Sequence, residues 1–281
     1  MELRTHTFGA DPEVFLVNKL GKFVSAHDLI PGTKADPYPV PHGAIQVDGV
    51  AFEFNINPAK TAFEFIGNIR RVIRAGERKF KAVEPDLEIA ITPTATFDPE
   101  YFAALPDTPK LLGCTPDYNA YTEDENIPPS TDEPFRTGSF HLHVGWRSGV
   151  PQTEYKAHWK ECVSYVKQLD AVLFPTSMLW DSDNKRRSLY GKIGAFRPKP
   201  YGVEYRPMSN MVLSSVLIQK FVFDAASRAS DLLANMKIKI YEDDFAEQMI
   251  RDFQDNRAVS KDDIRYYNRY LNEKYAIPLF L

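Results

Sequence analysis

Two pairs of residues carry most of the chemistry in this chain. His141-Leu142-His143 and Glu204-Tyr205-Arg206 each place two polar groups two residues apart in a run that otherwise reads as a β-strand. Side chains at i and i+2 point to the same face of a strand. Two imidazoles therefore share one face, and a carboxylate and a guanidinium share another. If the two strands are neighbours, a metal ligand set stands beside an anion clamp, a combination suited to chemistry on phosphates.

Two acidic segments extend this pattern. Asp11 and Glu13 flank Pro12 on one face, roughly 6.6 Å apart along a strand. At an effective dielectric of about 20 their charges repel by about 2.5 kcal/mol. Solvent would screen that cost and a divalent cation would reverse it; turn chemistry at Asp11-Pro12 is the plainer alternative. In Asp48 to Asn55, Glu53 sits between Phe52 and Phe54. A carboxylate there is either on a solvated face or bound to something positive. The histidine pair also has alternatives: a metal site, a phosphate contact, or two half-buried core residues. With neighbouring carboxylates the donor set is mixed nitrogen and oxygen, which accepts Mg, Mn or Zn. His158 is the only histidine after His143, so an all-nitrogen site is not expected.

Residues 181–206 form a basic segment with Lys185, Arg186, Arg187, Lys192, Arg197, Lys199 and Arg206. Arginine forks fit phosphate oxygens. A solvated loop is the usual fate of such a run, but Tyr190, Ile193, Phe196, Tyr201 and Tyr205 should hold this one against the core. There is no Gly-x-x-x-x-Gly-Lys-Ser/Thr and no Gly-x-Gly-x-x-Gly, so any nucleotide must be held by other means.

The elements that would position these residues are legible in outline. Val14–Val17 and Gly21–Val24 read as a hairpin, and 27–42 as a Pro- and Gly-rich loop. Residues 46–55 read as one strand, 88–91 and 139–146 as others. Helices are expected over 62–83, with Arg and Lys on the face away from the apolar one, and over 153–174 and 211–234. Residues 245–254 and 261–275 form a helical tail. The irregular 106–136 segment is long for a compact domain and should be functional or mobile; Asp117, Asn119 and Tyr121 are its candidate substrate contacts. Hairpins interspersed with long helices imply an α+β fold with an antiparallel sheet. One domain over 1–281 is expected, with 236–281 as its helical C-terminal part.

Composition narrows the function classes. The 281 residues carry a formal charge of −4, which argues against a general nucleic-acid binder. No stretch is long and apolar enough for a membrane span, and the first residues lack a signal-peptide core. Cys114 and Cys162 are in no metal-binding spacing and read as free buried thiols of a cytosolic protein, although one disulfide is also compatible.

Taken together, Gly9 to Glu13, Asp48 to Pro58, Gly113 to Ala120, Gly138 to Gly145 and Tyr190 to Asn210 resemble the phage-type carboxylate–amine ligase (amidoligase) family, within the glutamine synthetase and glutamate–cysteine ligase superfamily. That resemblance implies a glutamine synthetase-like catalytic domain, a curved antiparallel sheet with helices packed on one face, that uses ATP and Mg2+ or Mn2+. It implies Glu13, Glu53, His141 and Glu204 as metal ligands, with Asp11 and Asp48 as further ones. Arg206, with Glu204 and Arg197, would act on phosphate oxygens; His143, Arg187 and Lys192 would lie near the nucleotide. The implied reaction joins a small-molecule or peptide carboxylate to an amine through an acyl phosphate, in the cytoplasm, of a host cell if the gene is a phage's. Nucleic acid enters only as a modified-base substrate. Two departures are visible: the glycine-rich lead-in to the histidine pair is reduced to Gly138-Ser139-Phe140, and the small N-terminal domain of glutamine synthetase has no counterpart. The rival readings are a metal-dependent hydrolase using the His-x-His site and a non-catalytic nucleotide-binding module.

Overall fold

The computed structural model describes residues 3–110, 116–127 and 133–280. Its strands are β1 (Thr7–Val17), β2 (Phe23–Val24), β3 (Tyr38–Val40), β4 (Gly43–Asp48), β5 (Ala51–Ile56), β6 (Glu88–Ala90), β7 (Thr94–Thr96), β8 (Tyr118–Asn119), β9 (Phe135–Thr137), β10 (Phe140–Gly145), β11 (Ala195–Lys199) and β12 (Gly202–Tyr205). Its helices are α1 (Ala62–Val83), α2 (Pro99–Ala104), α3 (Asp107–Lys110), α4 (Tyr155–Ser177), α5 (Asn184–Leu189), α6 (Val216–Ala234), α7 (Asp244–Gln254) and α8 (Lys261–Tyr275). The main sheet is antiparallel and open, in the order β3-β4-β5-β1-β10-β12-β11-β8, with β2 and β6 on the far half of β1. No described helix is long and apolar enough to cross a membrane.

The alternation of residue types decides which face is which. Phe8, Ala10, Val14, Phe52, Phe54, Phe140, Leu142, Val144, Val203 and Tyr205 are buried at alternate positions of the central strands, and helices α1, α4 and α6 cover that side. Burying one such phenylalanine contributes roughly 2–3 kcal/mol. Helix α1 begins at Thr61, whose hydroxyl accepts from Glu64 N–H, and it buries Phe65, Ile69, Val72 and Phe80. Gly76 lets it rest on the sheet: a Cβ there would lie 2.1 Å from Phe52 Cζ. The last two helices pack on α4, where Tyr267 donates to Ala171 O at 2.7 Å and Thr176 to Asn268 Oδ1 at 2.8 Å. The expected tail is thus part of the helical layer.

Two expectations about elements are corrected. Residues 46–55 are not one strand but the hairpin β4–β5, with Asp48 opposite Ala51 and Gln46 opposite Glu53. The reason is Asp48-Gly49, turn chemistry with Gly49 at φ 59. Residues 106–136 are not wholly irregular, since α3, β8 and β9 lie among those described. Cys162 is free and buried. Cys114 and the motif residues Gly113 and Thr115 lie outside the described residues.

Candidate active site

Register brings the predicted polar residues to the sheet face away from the helices. Asp11 on β1 faces His141 on β10, His143 faces Glu204 on β12, and Glu204 faces Arg197 on β11. On the other side of β1, Glu13 faces Glu53. The i, i+2 pattern within each strand is thereby converted into a surface five strands wide, from β5 to β11.

Two ligand groups result. Asp11, His141 and Glu204 offer donor atoms within 4.8 Å of one another, and so do Glu13, Asp48 and Glu53. Asp11 and Asp48, the weaker candidates from sequence, are full members of these groups. His141 Nδ1 lies 3.5 Å from both Asp11 Oδ1 and Glu204 Oε1, and its Nε2 lies 3.4 Å from Tyr190 Oη. His143 stands behind Asp11 rather than open to a nucleotide: its Nε2 is 2.8 Å from Asp11 Oδ1 and its Nδ1 bonds Tyr201 Oη.

Burial and charge set the protonation of these groups. Burial opposes the Asp11 charge, but His143 and His141 prevail and hold its carboxyl well below the usual range. Burial pushes Glu13 up to about 7, reinforced by Asp48 and opposed by Lys34, Arg206 and the Ser139 N–H. Burial and then Asp11 push Glu53 well above its ordinary value. Burial, with Arg206 adding to it, lowers His141 to about 3, so its imidazole is neutral and free to donate a lone pair. His143 is raised, because the Asp11 carboxylate outweighs burial. Clustered carboxylates that resist ionisation in company are a donor set for a hard divalent cation.

Cations crowd Glu204, which is fully buried. Arg197 Nη1 approaches its two oxygens at 3.2 and 3.3 Å, Lys199 Nζ lies 2.7 Å from Oε2, and Arg206 Nη1 bonds Oε1. Arg206 Nε also donates to Asp117 Oδ2 at 2.9 Å. On the Glu53 side, Gln46 donates to Glu53 at 2.8 Å and Lys34 Nζ lies 2.9 Å from Asp48. The charges of Glu53 and Asp48 overcome burial and raise Lys34.

A pocket opens beside Arg206, between the 116–127 segment and the 189–195 turn. Asp117, Asn126, Ile127, Tyr190 and Lys192 line it. Of the three candidate substrate contacts, Asp117 is therefore at a pocket. Asn119 instead holds a turn, donating to Ile193 O and accepting from Tyr121 N–H. The Tyr121 hydroxyl is buried and pushed up by burial and by Asp170; Asp170 lies on α4, behind the sheet. Arg187 does not join the site: it sits on α5 and pairs with Asp181 at 3.3 Å. His158 lies in α4 and bonds Lys199 O at 2.8 Å, so it supplies no third imidazole to the cluster.

Sequence reasoning did not single out Lys199, Lys34, Gln46 or Tyr190 as site residues. Lys199 and Tyr190 were visible in the basic, aromatic stretch, and Lys199 shares an i, i+2 face with Arg197. Lys34 and Gln46 had no local signal, because one lay in an apparent loop and the other in a misread strand.

An α+β fold thus carries two clusters of candidate metal-ligand side chains, with arginines beside them, on the open face of an antiparallel sheet. Residues 158–267 match the family described as Phage phiEco32-like COOH.NH2 ligase-type 2. That match supports the phage-type carboxylate–amine ligase family for this chain, and the family name indicates a ligase acting on a carboxylate and an amine. It spans β11 and β12 with Arg197, Glu204 and Arg206, and it extends into α7 and α8, where no motif was recognised from sequence. It covers less than half of the chain and leaves out β1, β5 and β10. No curated protein matches the chain.

Proposed function

We propose that the protein is an ATP-dependent carboxylate–amine ligase that works through an acyl phosphate on a glutamine synthetase-like sheet. The observation that carries this reading is the pair of ligand groups, Asp11–His141–Glu204 and Glu13–Asp48–Glu53, side by side on one sheet face with Arg197, Lys199 and Arg206 around Glu204. A carboxylate at neutral pH is a poor electrophile, and amide formation needs it activated. Attack of a carboxylate oxygen on the γ-phosphorus of ATP forms the C–O–P link and releases ADP. The amine then attacks the carbonyl carbon, the C–O bond breaks, and phosphate departs with that oxygen.

Phosphoryl transfer is accelerated mostly by positioning and by cancelling charge on oxygens. Asp11, His141 and Glu204, and Glu13, Asp48 and Glu53, would hold Mg2+ or Mn2+, which when bound supplies much of that cancellation. The arginines supply the rest. Arg206 is pinned between Glu204 and Asp117, so its guanidinium does not reorganise as charge develops. Lys192 and Tyr190 at the adjoining pocket are the residues best placed to meet the organic substrate. His143 holds Asp11 in place through its hydrogen bond.

The test is ADP release with mixtures of carboxylates and amines. Release that needs ATP, a carboxylate and an amine together supports the ligase. Hydrolysis of an ester or amide without ATP would replace it with the hydrolase reading, and ATP binding without turnover with the binding-module reading.

A further inference from the structure

Helix α1 bears a line of arginines that no carboxylate neutralises. Arg70, Arg71, Arg74 and Arg78 are exposed, and among the described residues none has a carboxylate oxygen within 4.0 Å. Arginines elsewhere on the surface are paired: Arg147 with Glu161, Arg251 with Glu247, Arg257 with Asp252 and Arg265 with Asp262. Arg269 on α8 is the exception among the described residues. The chain as a whole is acidic, at −4, so this positive charge is local and is hidden in the average.

The spacing is also specific. Arg70, Arg74 and Arg78 recur every four residues and form one ridge about 12 Å long. Like charges at that spacing repel along a helix. Phe63 lies on the same face, two turns before Arg70, and is 82% exposed. The opposite face of α1, with Phe65, Ile69 and Val72, is buried against the sheet, so the ridge points away from it.

Guanidinium forks match phosphate oxygens, and an exposed aromatic ring offers a stacking surface to an unpaired base. We propose that the outer face of α1 binds single-stranded nucleic acid, with its phosphodiester backbone along Arg70, Arg74 and Arg78 and a base stacked on Phe63. This surface lies on the side of the sheet opposite the acidic clusters, so it docks the strand and takes no part in the bond-forming step.

Fluorescence anisotropy of a labelled single-stranded oligonucleotide on the full chain tests this. If about three phosphates are neutralised, raising salt from 50 to 200 mM should weaken binding by roughly 20-fold. The triple variant Arg70→Gln/Arg74→Gln/Arg78→Gln should lose at least tenfold in affinity at low salt without a fall in melting temperature. Phe63→Ala should weaken the single strand but not a duplex of the same length. The charge-matched control Arg251→Gln/Arg257→Gln/Arg265→Gln should keep wild-type affinity. Absence of binding at low salt, equal loss in the control, a duplex bound more tightly than the single strand, or polyglutamate bound as well as the oligonucleotide would each overturn the proposal.

Discussion

Lys199 Nζ stands 2.7 Å from Glu204 Oε2, a diagonal contact across the β11–β12 hairpin in which Lys199 is paired with Gly202 and Glu204 with Arg197. With Arg197 and Arg206 on the same carboxylate, Glu204 is the anion around which the basic part of the site is assembled. One of its oxygens also lies within 4.8 Å of donor atoms of Asp11 and His141, the group proposed to hold a cation.

That dual position sets the first expectation. Glu204→Gln removes a buried charge from between three cations, and breaking a buried pair costs about 3–5 kcal/mol. The variant should melt well below wild type and lose ATP-dependent ligation. Glu204→Asp keeps the charge one methylene short and should melt closer to wild type while retaining little activity. Thermal scans and ADP assays on both variants check this; full activity of Glu204→Gln at ordinary Mg2+ would contradict it.

The two arginines should separate. The Arg197 side chain is 14% exposed and that of Arg206 is 5% exposed, held between Glu204 and Asp117. Arg197→Ala should lose roughly 10²-fold in kcat, as for loss of one oxyanion donor, with a small change in Tm. Arg206→Ala should lose at least as much and be destabilised as well, since it leaves Asp117 without its cation. Near-normal turnover in both variants would show that neither meets a phosphate.

Divalent cations should stabilise the fold, and more so as pH rises. Glu13 is pushed up to about 7 and Glu53 above its ordinary range, both chiefly by burial, so below pH 7 protons compete with a cation for these oxygens. Millimolar MnCl2 should raise Tm more at pH 8 than at pH 6, and Glu13→Gln should remove most of the difference. A pH-independent shift, or none, would contradict the metal assignment.

Behind the sheet, Asp170 accepts from the Tyr205 hydroxyl at 2.7 Å, and burial pushes its carboxyl up to about 7. An unfolded aspartate titrates near about 3.9. Between those values the folded chain keeps a proton that the unfolded chain releases. The stability this group contributes is therefore complete below about pH 4 and is lost as pH rises through 7. Asp170→Asn abolishes that titration, so its Tm relative to wild type should climb between pH 5 and 7.5. A difference that stays flat across that range would show that Asp170 is ionised in the fold.

Local pattern made part of this architecture legible. Helices α1 and α8 follow directly from apolar spacing and cap residues, and the i, i+2 pairs at 141/143 and 204/206 place their side chains on one face as expected. The strand pairing that joins them is not a local property. Asp11 meets His141, 130 positions away, because β1 pairs with β10, and Asp170 meets Tyr205 because α4 lies under β12. The β4–β5 hairpin was hidden because residues 46–55 alternate well enough to pass for one strand, while Asp48-Gly49 carried the turn signal. Once that turn is in place, Gln46 and Asp48 are both brought to Glu53, which a single strand could not do.

In the proposed reaction a carboxylate is activated by phosphorylation and then captured by an amine. Once the substrate screen has found an active pair, the carboxylate should be supplied with both oxygens labelled with oxygen-18 and the released phosphate analysed by mass spectrometry. Attack through an acyl phosphate predicts one labelled oxygen in the phosphate for each amide formed, with no transfer when ATP is omitted. Phosphate that carries no label while the amide accumulates would contradict the acyl-phosphate route.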